Sequence, residues 1–290
     1  MRCTVPKGFC LPIMASDRER KGKDEVMMDR RRFLTRAMAA AACPLCAAAA
    51  TPGRSAHAAE PGGWSYGGST GPDAWGRLDP SWRSCVTGER QSPVDLRNAT
   101  PAMMATPDID WPAMPLVIAN TGHTAVVEAT AYATLGLGVE GARYRMTQFH
   151  FHHPSEHTVE GRGFPMEIHF VHEDELGGGF AVAAVFVRSG ATNPTLGTLF
   201  QSMPARAGER TSQPTLIPPA ALLPPEGQRE TFRYHGSLTT PPCTEAVRWL
   251  IFTHPIEAAP SQIETFARQF PMNARPVQPL GRRFLLLDFF

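Results

Sequence analysis

A stretch of alternating phenylalanine and histidine constrains this chain more than any other part of its sequence. In an extended strand, successive side chains point to opposite faces. The order Phe149-His150-Phe151-His152 therefore places the two phenylalanines on one face and the two histidines on the other. We expect a strand whose phenylalanines are buried in a core while both imidazoles converge on one point.

A third histidine follows in a second alternating segment, which contains Glu167 and His169 and is close enough in sequence to form a neighbouring antiparallel strand. Three neutral imidazoles with no thiolate nearby suit Zn²⁺ and leave a fourth tetrahedral position open, as catalytic zinc sites do. Ligand histidines usually donate their second ring N–H to an oxygen, and Gln148 and Glu167 each lie two residues from a histidine. The sequence therefore predicts a zinc site with three ligands: His150, His152 and His169.

A His-X-His pair by itself is also typical of an ordinary strand without a metal. The third histidine and its polar neighbours favour the zinc site. At 290 residues the chain forms one large domain or two small ones. Its formal net charge of +1 gives no indication of a nucleic-acid partner.

The first 58 residues resemble an export leader rather than part of a folded domain. Three parts carry this resemblance: a twin-arginine-like motif at 30–34, an alanine-rich apolar run at 37–50 and an Ala-His-Ala cleavage signal at 56–58. The apolar run is too short and too rich in alanine for a membrane span. We expect a poorly ordered leader over residues 1–58 and a translation start at Met27 or Met28. We also expect export to the periplasm or the medium by the twin-arginine route, with no membrane contact after cleavage.

Removal of this leader leaves two of the six cysteines, Cys85 and Cys243. In an oxidising compartment they can form a single disulfide, which over a loop of this length would contribute on the order of 4 kcal/mol. Two alternatives stay open at this point: two unrelated buried thiols, or a lipidated Cys43 behind a weak lipobox.

The rest of the chain alternates turns rich in glycine and proline with short apolar or alternating runs, which predicts strands. The predicted strands are 116–120, 124–128, 146–152, 166–171, 180–187, 247–253 and 284–289. Two amphipathic helices are predicted, at 193–201 and at 260–270, the second with Ser261 as its N-cap. The proline-rich stretch 217–227 is expected to be a surface loop, so residues 59–290 form one mainly β domain.

The segment 237–242, Ser-Leu-Thr-Thr-Pro-Pro, carries a hydroxyl that can orient a metal-bound water. Thr239 can accept a hydrogen bond from that water only when its own proton is donated elsewhere, and an ionised carboxylate, which only accepts, would commit that proton. Glu156 is the carboxylate that we select. Taken alone, Thr-Thr-Pro-Pro is more often a turn than a catalytic element.

Together these residues resemble the alpha-class carbonic anhydrases, and the resemblance runs from Trp64 to the C-terminus. Besides the histidine cluster, five blocks stand in that family's order: 91–95 (Gln-Ser-Pro-Val-Asp), 120–123 (Asn-Thr-Gly-His), 155–159 (Ser-Glu-His-Thr-Val), 237–242 and 273–280. Several spaced blocks are more specific than any single motif. The resemblance implies reversible hydration of CO₂ to bicarbonate and a proton, by attack of a zinc-bound hydroxide.

The resemblance also assigns roles to residues of this sequence. The zinc ligands are His150, His152 and His169, and their hydrogen-bond partners are Gln148, Glu167 and the Asn273 carbonyl. Thr239 and Glu156 orient the hydroxide, Thr240 lines the substrate side, and the Thr239 N–H contacts CO₂ or an inhibiting anion. The apolar wall where uncharged CO₂ waits consists of Val171, Val182, Leu238, Val247 and Trp249.

Proton release is the step for which the resemblance is weakest. His123 falls at the family's proton-shuttle position and Tyr66 in its water chain; a residue that titrates near neutral pH suits this role. Thr121 and Val126 replace amide side chains that are common in the family, so the expected proton wire is less well ordered. His153 replaces an aromatic residue and points away from the ligand face, so it is not expected to bind the metal.

Three further expectations follow from the resemblance alone. The exported bacterial members place one disulfide where Cys85 and Cys243 stand, which would tether the loop that carries Thr239. The family fold is a central, twisted, mostly antiparallel sheet with few short helices and a shallow knot at the C-terminal strand, although knots are rare. The partner is a small molecule, CO₂ or bicarbonate, and a homodimer is compatible with it. Two other functions stay open: a catalytically silent relative that binds zinc or a protein, and ester hydrolysis at the same metal.

Overall fold

The structure, a computed structural model, describes residues 63–129 and 136–288. Its strands are β1 (Asp95–Leu96), β2 (Thr100–Ala102), β3 (Asp108–Asp110), β4 (Met114–Asn120), β5 (Ala125–Glu128), β6 (Gly136–Val139), β7 (Ala142–His152), β8 (Thr158–Val159), β9 (Met166–Asp174), β10 (Phe180–Ser189), β11 (Arg210–Ile217), β12 (Thr231–Gly236), β13 (Val247–Phe252), β14 (Ile256–Ala258) and β15 (Leu286–Asp288). Its helices are α1 (Trp75–Leu78), α2 (Ser84–Thr87), α3 (Pro194–Gln201) and α4 (Pro260–Gln269), with 3₁₀ turns at Gly68–Thr70, Pro80–Trp82 and Pro219–Leu222. The leader predicted over residues 1–58, with Met27, Met28 and the arginine motif, lies outside the described residues.

One large mixed sheet dominates the fold. Its strand order is β11-β4-β5-β7-β9-β10-β13-β12-β15-β2, with β14 beside β10 and with β6 joining β3 to β7. Most neighbours are antiparallel, and the parallel pairs of this sheet are β10 with β13, β10 with β14 and β15 with β2. The prediction of a mainly β, mostly antiparallel architecture with few short helices is confirmed. Within the described residues no helix has the length and apolar character that a membrane crossing requires.

The centre of the sheet is buried on both faces, because β9 and β10 are inaccessible along nearly their whole length. β-Branched and aromatic residues, which suit such a strand, make up much of β10. On one face of β7, Phe149 and Phe151 are fully buried and share a core cluster with Leu196 and Leu199 of α3 and Phe266 of α4. The helices therefore cover this face of β7, and its histidines project from the other.

α4 begins at Pro260, as predicted, but its N-cap differs from the prediction. Ser261 is not its N-cap, because the helix begins one residue earlier at Pro260. The side-chain oxygen of Gln262 instead accepts from the Ala259 N–H at 3.0 Å and from the Asn193 N–H at 2.9 Å. The Gln262 side chain thus caps α4 and also links it to the beginning of α3. No local sequence motif predicts this tertiary contact.

The proline-rich stretch 217–227 is partly core rather than wholly a surface loop. Its 3₁₀ turn, Pro219–Leu222, points Leu222 inward, and the following Leu223 is buried with it in the main hydrophobic cluster. The prediction was wrong for these two leucines because the prolines around them hide any regular hydrophobic period.

Strands β11 and β12 are not among the predicted strands. On β12, Thr231, Arg233 and His235 alternate on one face and give no apolar pattern. Arg233 is nevertheless buried, because Asp288 accepts a hydrogen bond from its Nη2 at 2.8 Å. The hydroxyl of Thr231 donates to the same carboxylate at 2.7 Å. Hydrophobic alternation does not predict a strand whose buried residues form an ion pair.

The last described strand lies inside the sheet rather than at its edge. β15 pairs with β12 on one side and with β2, from the beginning of the domain, on the other. A C-terminal strand held between two earlier strands is what threading of the C-terminus requires. The shallow knot itself stays a prediction.

The buried His172 of β9 makes the stability of this sheet depend on pH. Burial lowers the pKa of His172 to about 4, although its Nδ1–H donates to the Phe170 carbonyl at 2.9 Å. In the unfolded chain the ring returns to its ordinary pKa of 6.5. Between these values the unfolded chain binds the extra proton, so stability rises with pH through this window.

We therefore expect protonation of His172 to lower the free energy of unfolding by up to about 3 kcal/mol as the pH falls from 6.5 to 4. His172→Phe should remove that part of the slope, which urea unfolding at a series of pH values measures. His254→Phe, at an exposed ring, is the matched control and should keep the wild-type slope. Equal slopes for His172→Phe and the wild type would contradict this prediction.

Candidate metal centre

The pairing of β7 with β9 brings three histidines together. The two strands are antiparallel and place His150 directly opposite His169. His152 follows two residues later and shares the face of His150. One imidazole nitrogen from each of the three lies within 4.8 Å of the other two.

Each of these rings is fixed by a hydrogen bond from its other nitrogen. The three bonds run from His150 Nδ1 to Gln148 Oε1 at 2.8 Å, from His152 Nδ1 to the Asn273 carbonyl at 2.7 Å and from His169 Nε2 to Glu167 Oε1 at 2.8 Å. All three partners are those named from the sequence. Such bonds fix the tautomer and orientation of a ligand histidine.

The nitrogens left over are suited to a metal ion. They are Nε2 of His150, Nε2 of His152 and Nδ1 of His169. Within the described residues, Nε2 of His152 is buried and has no hydrogen-bond partner. An unsatisfied buried polar atom costs about 1–3 kcal/mol, and a coordinated cation would satisfy it. The three residues therefore fit a metal.

The surroundings of His150 and His152 favour the neutral imidazole, the form that binds a metal. Burial, together with the neighbouring His152 and His169 rings, lowers the pKa of His150 well below its usual value. Burial also lowers the pKa of His152, against the opposing pull of the Glu156 carboxylate. Two of the rings are thus neutral near pH 7, and metal ligation requires neutral imidazole.

The Glu167 carboxylate, behind the histidines, accepts four hydrogen bonds. Burial alone would raise its pKa, but the adjacent His157 and His169 rings lower the pKa of Glu167 well below its usual value. Its Oε2 accepts from the backbone N–H of Glu156 and of His157, both at 2.9 Å. Its Oε1 accepts from His157 Nδ1 at 2.7 Å as well as from His169. The carboxylate is fully committed to these donors, so the grouping of His157, Glu167 and His169 is a hydrogen-bond network and not a second metal site.

Glu156 faces the same space with one oxygen. Its Oε1 accepts from the Arg275 N–H at 2.8 Å. Its Oε2 is buried without a hydrogen-bond partner among the described residues and lies 3.6 Å from His152 Nε2 and 3.8 Å from His169 Nδ1. No hydrogen bond joins Thr239 to Glu156 within this part of the chain. Thr239 lines the pocket in front of the histidines, whereas Glu156 and His152 are not among the residues that line it.

A pocket of about 260 Å³ opens in front of the histidines. It brings together most of the residues expected there: Gln148, His150, His169, Val171, Val182, Leu238, Thr239, Thr240 and Trp249. Val247 does not line it and is instead buried in the adjoining core cluster with Val182 and Trp249. Thr147, Glu173 and Phe180 also line the pocket and were missed, because their positions relative to it depend on strand register and on a β-bulge between Met146 and Gln148.

His123 and Tyr66 lie together in an aromatic group on the N-terminal side. The His123 ring stacks on Trp64, with ring centres 3.8 Å apart and planes 9° apart. Tyr66 lies 6.4 Å from the same ring. Burial lowers the pKa of His123, and burial raises the pKa of Tyr66 well above its usual value.

A disulfide between Cys85 and Cys243 is present, as expected from the sequence. It joins α2 to the residue that follows the Thr-Thr-Pro-Pro turn. Gln91 adds a second link, because its Nε2 donates to the Cys243 carbonyl at 3.2 Å. The loop that carries Thr239 is therefore held by the N-terminal part of the domain.

Three hydrogen-bonded residues, Tyr234, His157 and Ser92, were given no role from the sequence. The Tyr234 hydroxyl lies 2.7 Å from His157 Nε2 and 2.8 Å from Ser92 Oγ. Ser92 Oγ in turn accepts from the Ser237 N–H at 3.1 Å. His157 and Ser92 stand inside motifs noted above, but only the folded structure shows that Tyr234 connects them.

Residues 70–289 match the family model described as eukaryotic-type carbonic anhydrase. A protein of Pectobacterium atrosepticum named carbonic anhydrase is 39% identical over 233 residues, which cover 80% of this chain and 93% of that protein.

Solved structures give the same result. The alpha-carbonic anhydrase from Thermovibrio ammonificans, in complex with the inhibitor sulfanilamide, is 40% identical with a TM-score of 0.73 and covers 77% of this chain and 98% of its own. A hyperthermostable carbonic anhydrase from an active hydrothermal vent chimney is 38% identical with a TM-score of 0.74 and covers 78% of this chain and all of its own.

The Glu167 network yields a direct prediction about metal retention. We expect Glu167→Gln to weaken metal binding roughly 10- to 100-fold, because an amide cannot hold two ring N–H groups with the strength of a carboxylate. Competition with a chelator, followed by metal analysis, measures this. Glu173→Gln is the matched control, since Glu173 lies on the same strand and at the pocket without contacting an imidazole. Unchanged metal affinity in Glu167→Gln would remove the role given to this carboxylate.

Proposed function

The chain belongs to the eukaryotic-type, or alpha, carbonic anhydrase family and is a carbonic anhydrase, and we propose that it hydrates CO₂ reversibly with Zn²⁺ held by His150, His152 and His169. The observation that carries the proposal is the meeting of three imidazole nitrogens at one point, one of them buried and without a hydrogen-bond partner among the described residues. Three nitrogen ligands and an open fourth position are typical of catalytic zinc. The absence of a thiolate from the group distinguishes it from most structural zinc sites.

Zn²⁺ in this position would lower the pKa of a coordinated water to about 7, the value known for carbonic anhydrase, and so supply a nucleophile at neutral pH. The protein's contribution is to hold the ligands. Gln148, Glu167 and the Asn273 carbonyl keep each imidazole in the correct tautomer. The buried phenylalanines behind β7 keep the strand itself in place.

Thr239 and Glu156 are proposed to orient the attacking oxygen. Glu156 Oε2 is a buried acceptor without a donor in the described part of the chain, and the Thr239 hydroxyl on the pocket wall is the donor that suits it. Once its proton is committed to Glu156, the Thr239 oxygen can only accept. It then selects a water whose own proton points toward it and whose lone pair points to the substrate.

The apolar wall suits an uncharged substrate. Val171, Val182 and Leu238 contribute alkyl surface, and Trp249 contributes an aromatic face. Among the described residues that line the pocket there is no lysine or arginine, so nothing there acts as a clamp for a charged substrate. Thr240 and the Thr239 N–H are proposed to contact the substrate oxygens. CO₂ fits this combination of an apolar wall and a few hydrogen-bonding groups.

His123 is proposed to carry the proton from the pocket to buffer. Its half-buried ring is stacked on Trp64, and its backbone carbonyl accepts from Asn273 Nδ2 at 3.0 Å, so the shuttle is linked to a residue behind the metal ligands. A pKa below the ordinary value favours release of the proton once it has been accepted. Tyr66, beside it, is proposed to order the intervening water.

Export completes the proposal. The Cys85–Cys243 disulfide supports it, because disulfides persist in oxidising compartments and are rare in the cytosol. Fractionation of cells that express the full chain should place the protein outside the cytosol with this bond formed. A cytosolic protein with two free thiols would contradict export.

The hydration activity can be tested directly. The zinc-loaded protein should hydrate CO₂ far faster than buffer in a stopped-flow assay, and His150→Ala should lower the rate by on the order of a hundredfold or more. His153→Ala is the matched control, since this half-buried ring bonds to the Pro271 carbonyl and lies outside the metal group. A rate no faster than buffer with zinc bound would end the proposal.

The shuttle can be tested separately. We expect His123→Ala to reduce turnover in dilute buffer about tenfold or more, because proton release becomes limiting. The interconversion of CO₂ and bicarbonate, followed by isotope exchange, should change little. Added imidazole should restore turnover in the variant and leave the wild type almost unchanged. Failure of imidazole to restore the rate would exclude His123 as the carrier.

A further inference from the structure

A second cavity lies apart from the opening of the metal pocket. Its volume is about 340 Å³, and its walls come from β12, β13, the end of β6 and the segment that leads into β15. We call it the arginine cavity, after Arg90, Arg233, Arg248 and Arg283 on its walls. It shares Trp249 with the metal pocket and otherwise has different residues.

Three of the four arginines already have acidic partners. Arg233 Nη2 lies 2.8 Å from Asp288, Arg248 Nη1 lies 2.6 Å from Glu140 and Arg90 Nε lies 3.6 Å from Glu245. The exception is Arg283, which has no carboxylate partner within the described residues. Arg283 is therefore the one cavity arginine whose positive charge no carboxylate balances among the described residues.

Backbone carbonyls hold Arg283 in one orientation. Its guanidinium donates to the carbonyls of Leu280 at 2.8 Å, Gln91 at 2.8 Å, Pro279 at 2.7 Å and His235 at 3.1 Å. It also lies over the Tyr234 ring, 5.4 Å from the centroid. Carbonyl acceptors fix the group but leave its full positive charge, so the cavity contains a cation positioned in advance.

Apart from Glu140, which is paired with Arg248, and His235, the remaining residues on the walls are apolar or aromatic. Phe284 lines the cavity next to Arg283 in sequence and is 79% exposed, so its ring is open to a ligand from solvent. Tyr234, Trp249 and Leu286 also contribute to the walls. A cavity of this size with an apolar lining and a few fixed polar groups is typical of a small-molecule site.

We propose that the arginine cavity binds a small aromatic carboxylate. The carboxylate would pair with Arg283, supported by Arg248, and the aromatic body would lie against Phe284. The site is independent of the metal, because no histidine of the triad lines it.

Titration calorimetry with 2-naphthoate tests the proposal on the zinc-loaded full chain. Arg283→Gln should weaken binding about tenfold or more, because a charge-assisted hydrogen bond is lost. Phe284→Ala should weaken binding several-fold and removes only an exposed side chain. His150→Ala, which breaks the triad, should keep the wild-type affinity and so separates this site from the metal. Arg206→Gln, at an exposed arginine paired with Glu209, is the matched control.

Two further probes define the ligand class. Acetate lacks the ring and 2-naphthylmethanol lacks the charge, so each should bind at least about tenfold more weakly than 2-naphthoate. If Arg283→Gln does not fold, Arg248→Gln replaces it, because Arg248 is partly exposed. Undiminished binding in the arginine variants, loss of binding in His150→Ala, or no binding to the wild type would overturn the proposal.

Discussion

The register between β7 and β9 is the constraint on which the site depends. A slip of one residue would turn every side chain of a strand to the opposite face. His150 lies opposite His169 because Phe149 pairs with Phe170 next to it, and both phenylalanines are fully buried. The geometry of the imidazoles is therefore determined by hydrophobic packing on the other side of the sheet. A metal ion that binds at this point meets ligands whose positions have already been fixed by folding.

Glu167 connects that register to the rest of the pocket. A buried carboxylate is costly unless donors surround it, and four N–H groups do so here: those of the Glu156 and His157 backbone and of the His157 and His169 rings. Removing one partner of such a network typically costs about 3–5 kcal/mol. Through His157 and Tyr234 the same network reaches Ser92 and the start of the Thr239 loop. The orientation of a ligand and the position of this loop therefore share one set of hydrogen bonds.

Hydrophobic and histidine periodicity was enough to predict the centre of the fold. β4, β5, β7, β9, β10 and β13 all lie where alternating or apolar runs were found. The same patterns failed for β12, where the Arg233–Asp288 pair takes the place of apolar burial. Local rules also failed at α4, whose cap comes from Gln262 rather than Ser261. Asp288 is distant in sequence from Arg233, and Gln262 lies outside the usual N-cap position. Local patterns could therefore reveal neither partner.

At the metal site, too, features set by local sequence patterns could be predicted, and features set by distant residues could not. Residues within two positions of a histidine, such as Gln148 and Glu167, could be predicted because strand alternation places them. Tyr234 and Thr147 could not, since one is more than sixty residues from the ligands and the other depends on a bulge. The pairing of Thr239 with Glu156 was predicted from hydrogen-bond chemistry and is also implied by the family resemblance; in the described residues Glu156 Oε2 has no hydrogen-bond partner.

Three contacts that position the Thr239 loop come from one distant segment, residues 85–92. Cys85 forms the disulfide with Cys243, Gln91 donates to Glu245 at 2.8 Å, and Ser92 N–H donates to Ser237 Oγ at 2.9 Å. Each contact spans about 150 residues and all three close the same loop, so the entropic cost of loop closure is met once, during folding and not during catalysis. A catalytic hydroxyl is effective only when it does not have to reorganise as charge develops. These three contacts lie on the two sides of Thr239 and restrain its loop, which is what the orienting role proposed for the Thr239 hydroxyl requires.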